Sequence, residues 1–181
     1  MLTDSFQRKI EYLRFSVTDL CNIRCHYCMP AEGIFRIHRR ELLTFEEMTR
    51  LVQILVRLGV KKVRLTGGEP LVRRDLPDLV RMLHGVEGLE ELLLTTNGVP
   101  LKSFAGPLRE AGLKRINIHL DTLRRDRFLQ ITRRDELHAV LEGIDEALRV
   151  GFSPIKLNAV IQRGINDDEI EDLIHFSADR G

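Results

Sequence analysis

Residues 13–28 read LRFSVTDLCNIRCHYC. In the first half, the apolar residues Leu13, Phe15 and Val17 alternate with polar neighbours, which is the period-two pattern of a β-strand with one buried face. The predicted strand, Leu13–Thr18, is followed closely by a C-x3-C-x2-C cluster that contains every cysteine of the chain. These residues therefore predict a strand whose carboxyl end carries three thiols.

The cysteine cluster consists of Cys21, Cys25 and Cys28. Structural zinc sites have four protein ligands, and an ordinary four-iron cluster takes one cysteine for each iron. Three thiolates on a four-iron cluster leave one iron without a protein ligand and open to a small molecule. The spacing favours such a cluster and predicts these three cysteines as its ligands.

Other uses of the thiols stay open at this stage. Zinc could bind the three cysteines together with His26, and Cys25 with Cys28 could act as a thiol redox pair. A disulfide framework is disfavoured by the odd cysteine count and by Met1–Glu11, which lacks an apolar signal core. Reduced, clustered cysteines indicate the cytoplasm, or the mitochondrial matrix in a eukaryote.

The composition is that of an ordinary globular domain. The chain has 181 residues, of which 43% are hydrophobic and 30% charged, and a net charge of +1. This length suits one domain with a real core, or part of a larger one. The near-zero net charge argues against nonspecific nucleic-acid binding, and no apolar run is long enough to predict a membrane span.

Strand-like and helix-like segments alternate along the chain. Strands rich in Val, Ile, Leu and Thr are predicted at Leu13–Thr18, Lys62–Thr66, Glu91–Thr95, Arg115–Leu120 and Ile155–Ile161. A capping box at Thr44 and Glu47 opens one helical stripe, and a second stripe ends at Gly151. Asn166 with Glu169 predicts a last helix that runs to the end of the chain. This order predicts parallel strands with right-handed crossovers, in an α/β barrel or a doubly wound sheet.

The predicted strands carry polar residues on one face. Arg14, Arg64 and Lys156 lie on three different strands, each at a polar position. An antiparallel sheet with one solvated face shows the same alternation, but the intervening helices disfavour it. If helices cover the apolar faces, the cations line the interior of a closed or partly closed barrel. Because buried cations without anions are prohibitively costly, they predict a polyanionic ligand such as a nucleoside triphosphate.

A glycine motif, Gly67-Gly68-Glu69-Pro70, follows the second predicted strand. Glycines at a strand's carboxyl end let the backbone approach a ligand, although a plain turn has the same composition. The spacing is not that of a P-loop. Because the carboxyl ends of parallel strands meet at one edge, this motif is predicted to form a second wall of the cysteine site.

Taken together, the cysteine cluster with Tyr27 and the glycine motif resemble the radical S-adenosylmethionine superfamily. The segments that carry a closer resemblance, to its GTP 3′,8-cyclase family, are residues 13–19, 63–76, 95–98 and 156–168. That family performs the first step of molybdenum cofactor biosynthesis. The resemblance implies a partial (β/α)6 barrel with about five βα units, forming one radical S-adenosylmethionine core domain over residues 1–181.

The resemblance also implies the cofactors. Cys21, Cys25 and Cys28 would hold a 4Fe-4S cluster whose open iron binds S-adenosylmethionine, and an electron from the cluster would split it into a 5′-deoxyadenosyl radical. Tyr27 and Gly68 match positions that contact S-adenosylmethionine. His119 stands where the family usually has a serine that contacts the same cofactor.

For the substrate, the resemblance implies GTP, contacted by Arg14, Arg64, Thr95 and Lys156. The radical would take the hydrogen from C3′, and the ribose radical would attack C8, giving 3′,8-cyclo-7,8-dihydro-GTP in a lyase-class reaction. An electron donor such as a flavodoxin-type reductant and a homodimeric full-length form are further expectations.

The chain departs from the family at its end. The family completes six strand–helix units and adds a C-terminal region whose three further cysteines hold a second 4Fe-4S cluster, which cannot be built from the cysteines present here. The chain is therefore expected to be incomplete at its C-terminal edge and impaired in turnover. Two rival functions are another radical S-adenosylmethionine enzyme acting on a peptide, and a non-catalytic cluster- or zinc-binding module.

Overall fold

The computed structural model describes residues 2–34 and 38–180. Within those ranges the strands are β1 (Tyr12–Ser16), β2 (Lys62–Thr66), β3 (Glu91–Thr96), β4 (Arg115–His119) and β5 (Ile155–Asn158). The α-helices in the same ranges are α1 (Phe45–Arg57), α2 (Leu76–His84), α3 (Leu101–Glu110), α4 (Arg125–Thr132), α5 (Leu137–Arg149) and α6 (Ile170–Ala178). The alternation of strands and helices predicted from the sequence is confirmed.

The strands form one parallel sheet in the order β1-β2-β3-β4-β5. Helices α1, α2, α3 and α5 pack side by side in chain order, as they do around the outside of a barrel. In the part of the chain that the structure describes, β1 and β5 are edges and the sheet is open. The expectation of a partial barrel of about five units is thus confirmed, and a closed barrel is wrong for these residues.

One face of the sheet forms the core with the helices. Leu65, Leu94, Ile116 and Ile118 are fully buried there, which accounts for the apolar half of the alternation. Strand β3 is less regular because Leu93, the register partner of Arg64 on the other face, is buried too. The sheet is therefore apolar toward the helices and mainly polar on the opposite face.

The cations on the polar face are more exposed than the sequence predicted. Arg14 and Lys156 are exposed and Arg64 is half-buried. Because the sheet does not close over this face within the described residues, water reaches the side chains. The prediction that the three cations share the polar face is confirmed, but in the described residues that face is not closed over as a complete barrel would close it.

Two helix starts were predicted from capping residues, and the structure confirms one of them. The capping box at α1 is confirmed, with Glu47 N donating to Thr44 Oγ1 at 3.2 Å and Thr44 N donating to Glu47 Oε2 at 2.8 Å. Asn166, however, does not cap the last helix, which begins at Ile170 after a short 3-10 turn. Its buried amide instead donates to the Asp121 carbonyl at 2.7 Å, which ties the chain after β5 to the end of β4.

Across residues 2–34 and 38–180, the structure contains no helix of the length and apolarity that a membrane crossing requires.

Candidate cofactor site

A cavity of about 210 Å³ opens at the carboxyl ends of the strands. The residues from the sequence analysis that line it are Arg14, Cys21, Cys25, Tyr27, Cys28, Gly67, Gly68, Thr95 and His119. The structure thus brings the cysteine loop and the glycine motif to one cavity, where the sequence predicted two walls of a single site. Such positions at strand carboxyl ends are where α/β folds bind ligands.

The two remaining candidates lie on the polar face outside this lining. Arg64 is the register partner of Arg14 on the neighbouring strand, and its guanidinium carbon lies 5.6 Å from the centre of the Tyr12 ring. The Arg64 Nε atom is buried and has no hydrogen-bond partner among the described residues. Lys156 lies on the edge strand β5, opposite Asn117.

The cysteine loop is held in shape by its own arginine and by helix α4. Arg24 Nη1 donates to the carbonyls of Cys21 at 2.5 Å and Ile23 at 2.8 Å. The backbone N–H groups of Arg24 and His26 donate to the carbonyls of Thr132 and Ile131 at the end of α4. The loop backbone is therefore ordered by the fold around it.

Arg133 adds a second clamp that sequence reasoning missed. It follows α4 with a positive φ of 56°, and its Nη1 donates to the carbonyls of Arg24 at 2.9 Å and Met29 at 3.2 Å. This cation thereby fastens both ends of the Cys25–Cys28 segment. The sequence carries no local signal for the contact, because more than a hundred residues separate the partners.

The thiols differ in burial. Cys25 is buried, Cys21 is partly buried and Cys28 is exposed, and none is in a disulfide within the described residues. Burial raises the pKa of Cys25 to about 11 and also raises the pKa of Cys21. A reactive redox thiol needs a lowered pKa, so these environments disfavour the redox-pair interpretation.

The donor set fits an iron–sulfur cluster better than zinc. In the described ranges, no three His, Cys, Asp or Glu side chains are arranged to bind one metal ion. In a four-iron cluster each thiolate binds a different iron, so the sulfur atoms need not converge on one point. Three free thiols on one cavity therefore meet the chemical demand of a three-cysteine cluster, and the zinc alternative has no support from the geometry.

The two glycines of the motif line the cavity and also allow two backbone segments to approach each other closely. A Cβ at Gly67 would collide with the Thr18 carbonyl oxygen, and one at Gly68 with the Leu20 carbonyl oxygen. Gly68 N donates to Thr18 O at 2.8 Å, and Glu69 N donates to Leu20 O at 2.7 Å. Glycine is needed here because the motif packs directly against the chain that leads into the cysteine loop.

Tyr27, His119 and Asp121 form a hydrogen-bonded group beside the cysteines. The Tyr27 hydroxyl donates to Asp121 Oδ2 at 2.6 Å and lies 2.6 Å from His119 Nε2, which is 2.9 Å from the same carboxylate oxygen. Burial and Asp121 raise the pKa of Tyr27. Burial alone would raise the pKa of Asp121, but its hydrogen bonds from His119 and Tyr27 lower it on balance. His119 therefore has one ring nitrogen engaged with protein groups.

Glu69 joins the glycine motif to the end of β3. Its side chain is 1% exposed and accepts hydrogen bonds from Leu71 N at 2.9 Å, Thr96 Oγ1 at 2.7 Å and Asn97 N at 2.6 Å. Burial raises the pKa of Glu69, and these hydrogen bonds oppose the rise. The carboxylate thus fixes the positions of Thr96 and Asn97, which line the cavity.

Comparisons with known proteins agree with this geometry. Residues 15–177 match the family model of the radical SAM superfamily. A GTP 3′,8-cyclase of Peptoclostridium acidaminophilum is 53% identical over 179 residues, which cover 99% of this chain and 55% of that protein. Molybdenum cofactor biosynthesis protein 1 of Mus musculus is 50% identical over 173 residues, which cover 96% of this chain and 27% of that protein.

Solved structures share the fold at low sequence identity. Streptococcus suis SuiB bound to S-adenosylmethionine superimposes with a TM-score of 0.78 at 19% identity, covering 94% of this chain and 38% of that one. Methylornithine synthase gives a TM-score of 0.71 at 19% identity, covering 92% of this chain and 50% of that one. The chain spans about half the length of the bacterial cyclases that it matches. From its fold, its three-thiol cavity and the family match, the chain belongs to the radical SAM superfamily.

Proposed function

We propose that this chain contributes the cluster-binding and part of the nucleotide-binding machinery of a GTP 3′,8-cyclase that acts in molybdenum cofactor biosynthesis. The observation that carries the proposal is the shared cavity, in which three free thiols lie beside Arg14 and Thr95. The relatives at about 50% identity are named for this activity, whereas the peptide-bound SuiB structure shares the fold at 20% identity. The cyclase is therefore favoured over a peptide-modifying enzyme.

Cys21, Cys25 and Cys28 are the residues that would hold a 4Fe-4S cluster. When bound, that cluster supplies the electron that cleaves S-adenosylmethionine and so generates the radical. The loop contacts of Arg24 and Arg133 hold the thiols in place before metal binds. Tyr27, Gly68 and His119 lie on the same cavity and are proposed to contact S-adenosylmethionine.

The polar face of the sheet is suited to a triphosphate. Arg14 and Arg64 lie directly opposite each other on neighbouring strands, and no carboxylate of the described residues pairs with either. Directly opposed like charges are destabilising, and an anionic ligand would relieve them. Neighbouring strands lie about 4.8 Å apart, so one phosphate chain can contact both guanidinium groups.

Thr95 and Lys156 extend the proposed substrate site across the sheet. Both pair in register with Asn117, on its two sides, so they share one row of the polar face. Two strand spacings separate them, roughly 10 Å, a span that a nucleotide can bridge. A flavodoxin-type electron donor, a homodimeric full-length form and a cytoplasmic location complete the proposal.

Replacement of Arg14 tests the substrate assignment. An Arg14→Ala chain is expected to bind GTP about tenfold more weakly or worse, since a hydrogen bond to a charged group contributes roughly 1.5–3 kcal/mol. The measurement is titration calorimetry on cluster-loaded chain with GTP and with guanosine. Guanosine affinity should not change, because guanosine carries no phosphate.

Lys62→Ala is the matched control for this measurement. Lys62 lies on the same face of β2, two residues before Arg64. Its Nζ atom, however, already pairs with Glu91 Oε1 at 2.9 Å. GTP affinity should therefore be unchanged in the control. Equal affinities of wild type and Arg14→Ala for GTP, or a GTP affinity no higher than that for guanosine, would contradict the proposed site.

A further inference from the structure

The side-chain amide of Asn97 reaches the sulfur of a cysteine. Asn97 follows β3 in the segment Thr95–Gly98 and is 8% exposed. Its Nδ2 atom lies 3.8 Å from Cys21 Sγ and 2.7 Å from Asn22 Oδ1. An amide group has two N–H donors, so one can serve the Asn22 oxygen and the other the sulfur.

The orientation of this amide is fixed by its other contacts. Asn97 Oδ1 accepts a hydrogen bond from Val99 N at 3.1 Å. A flipped amide would bring its oxygen against Asn22 Oδ1 and leave the Val99 N–H facing a donor. The backbone of Asn97 is fixed as well, because its N–H donates to the buried Glu69 carboxylate at 2.6 Å. The nitrogen therefore faces the sulfur.

A hydrogen bond at this sulfur has an electrostatic consequence. Hydrogen bonds to ligand sulfurs are among the features that set the reduction potential of an iron–sulfur cluster. Reduction adds one electron, and a donor aimed at the sulfur stabilises the more negative, reduced form. The donor thus makes the cluster easier to reduce, and its removal moves the potential to a more negative value.

We infer that Asn97 is a positioning residue that donates a hydrogen bond to the Cys21 sulfur and raises the reduction potential of the cluster held there. The inference rests on the proposed ligation of that cluster by Cys21, Cys25 and Cys28. It adds a contact to Cys21 from Asn97, which follows β3 and whose backbone N–H is held by the Glu69 carboxylate.

The test compares two substitutions that add the same charge. Asn97→Asp keeps the shape and the acceptor for Val99 N but removes the N–H donor. Asn22→Asp places a carboxylate next to the same cysteine and leaves the Asn97 donor intact. The reduction potential of each reconstituted chain is measured by titration with a chemical reductant and detection by electron paramagnetic resonance. Iron and sulfide contents are measured alongside, so that loss of the cluster is separated from a change in potential.

The expected result is a shift to more negative potential in both variants, with the larger shift in Asn97→Asp. Equal shifts would show that charge alone acts and would overturn the inference, as would an unchanged potential in Asn97→Asp. If wild type assembles no cluster, the proposed ligation fails and the inference fails with it.

If Asn97→Asp cannot hold a cluster, a second measurement tests the contact between the Asn97 amide and the cluster. The Asn22→Asp chain is labelled with ¹⁵N-asparagine, reconstituted and reduced, so that Asn97 is the labelled amide beside Cys21. Pulsed electron paramagnetic resonance should then detect a ¹⁵N coupling to the cluster. A spectrum without that coupling would overturn the inference.

Discussion

A Glu69→Gln chain is expected to lose about 1–3 kcal/mol of unfolding free energy and most of its capacity to hold a cluster. The carboxylate accepts hydrogen bonds from Leu71 N, Thr96 Oγ1 and Asn97 N. A glutamine offers a single acceptor oxygen, so its amide nitrogen would face a donor at close range, and a buried group left without a partner costs about this much. Urea unfolding and iron content after reconstitution are the measurements.

Glu169→Gln is the matched control. Glu169 is also fully buried and accepts hydrogen bonds from Thr122 Oγ1, Leu123 N and Arg127 Nη1, the last at 2.6 Å. Its loss should lower stability as well, but its contacts join the segment before α6 to the end of β4 and to the first turn of α4. They reach neither the glycine motif nor the end of α4 that contacts the cysteine loop. Iron content should therefore fall in Glu69→Gln and stay near the wild-type value in the control. Equal iron contents would contradict the role given to Glu69.

The second large effect is expected from Gly68→Ala. The added methyl group would collide with the Leu20 carbonyl, whose oxygen accepts the Glu69 N–H. Backbone cannot move aside as a flexible side chain does. The overpacking should therefore lower the free energy of unfolding by about 1–3 kcal/mol or more. Because the displaced backbone leads directly to Cys21, iron content should fall together with the urea midpoint.

Gly85→Ala separates this effect from glycine loss in general. Gly85 ends α2 at a φ of −77°, and a Cβ there would make ordinary contacts, the nearest at 3.6 Å to the Met82 carbonyl oxygen. The substitution should be neutral or should raise the free energy of unfolding by up to about 1 kcal/mol, because alanine reduces the conformational entropy of the unfolded chain. A Gly68→Ala chain as stable as Gly85→Ala would show that the predicted collision does not occur.

Much of the fold was predictable because local patterns determine it. The period-two alternation located four strands of the described sheet, the composition of Glu91–Thr95 indicated β3, and the capping box at Thr44 located the start of α1. Closure of the sheet was not predictable, because it depends on which edges pair and not on any local pattern. The role of Asn166 was mistaken because a capping residue and a buried loop-bridging amide have the same sequence signature.

In the site, too, features set by local patterns were predictable and features set by distant contacts were not. The cysteine spacing and the strand-end glycines predicted which residues share the cavity, since parallel strands bring their carboxyl ends to one edge. The clamp by Arg133 and the group formed by Tyr27 and Asp121 depend on contacts between distant parts of the chain. The place of the glycines beside the cysteines was predictable, whereas their tight packing against the Thr18 and Leu20 carbonyls emerges only in three dimensions.

The most direct test is the electron paramagnetic resonance spectrum of the anaerobically reconstituted, reduced chain, recorded with and without S-adenosylmethionine. We expect the signal of a four-iron cluster whose shape changes when S-adenosylmethionine is added, because one iron has no cysteine ligand and can bind it. A chain that takes up zinc but no iron, or a cluster signal that S-adenosylmethionine leaves unaltered, would contradict this expectation.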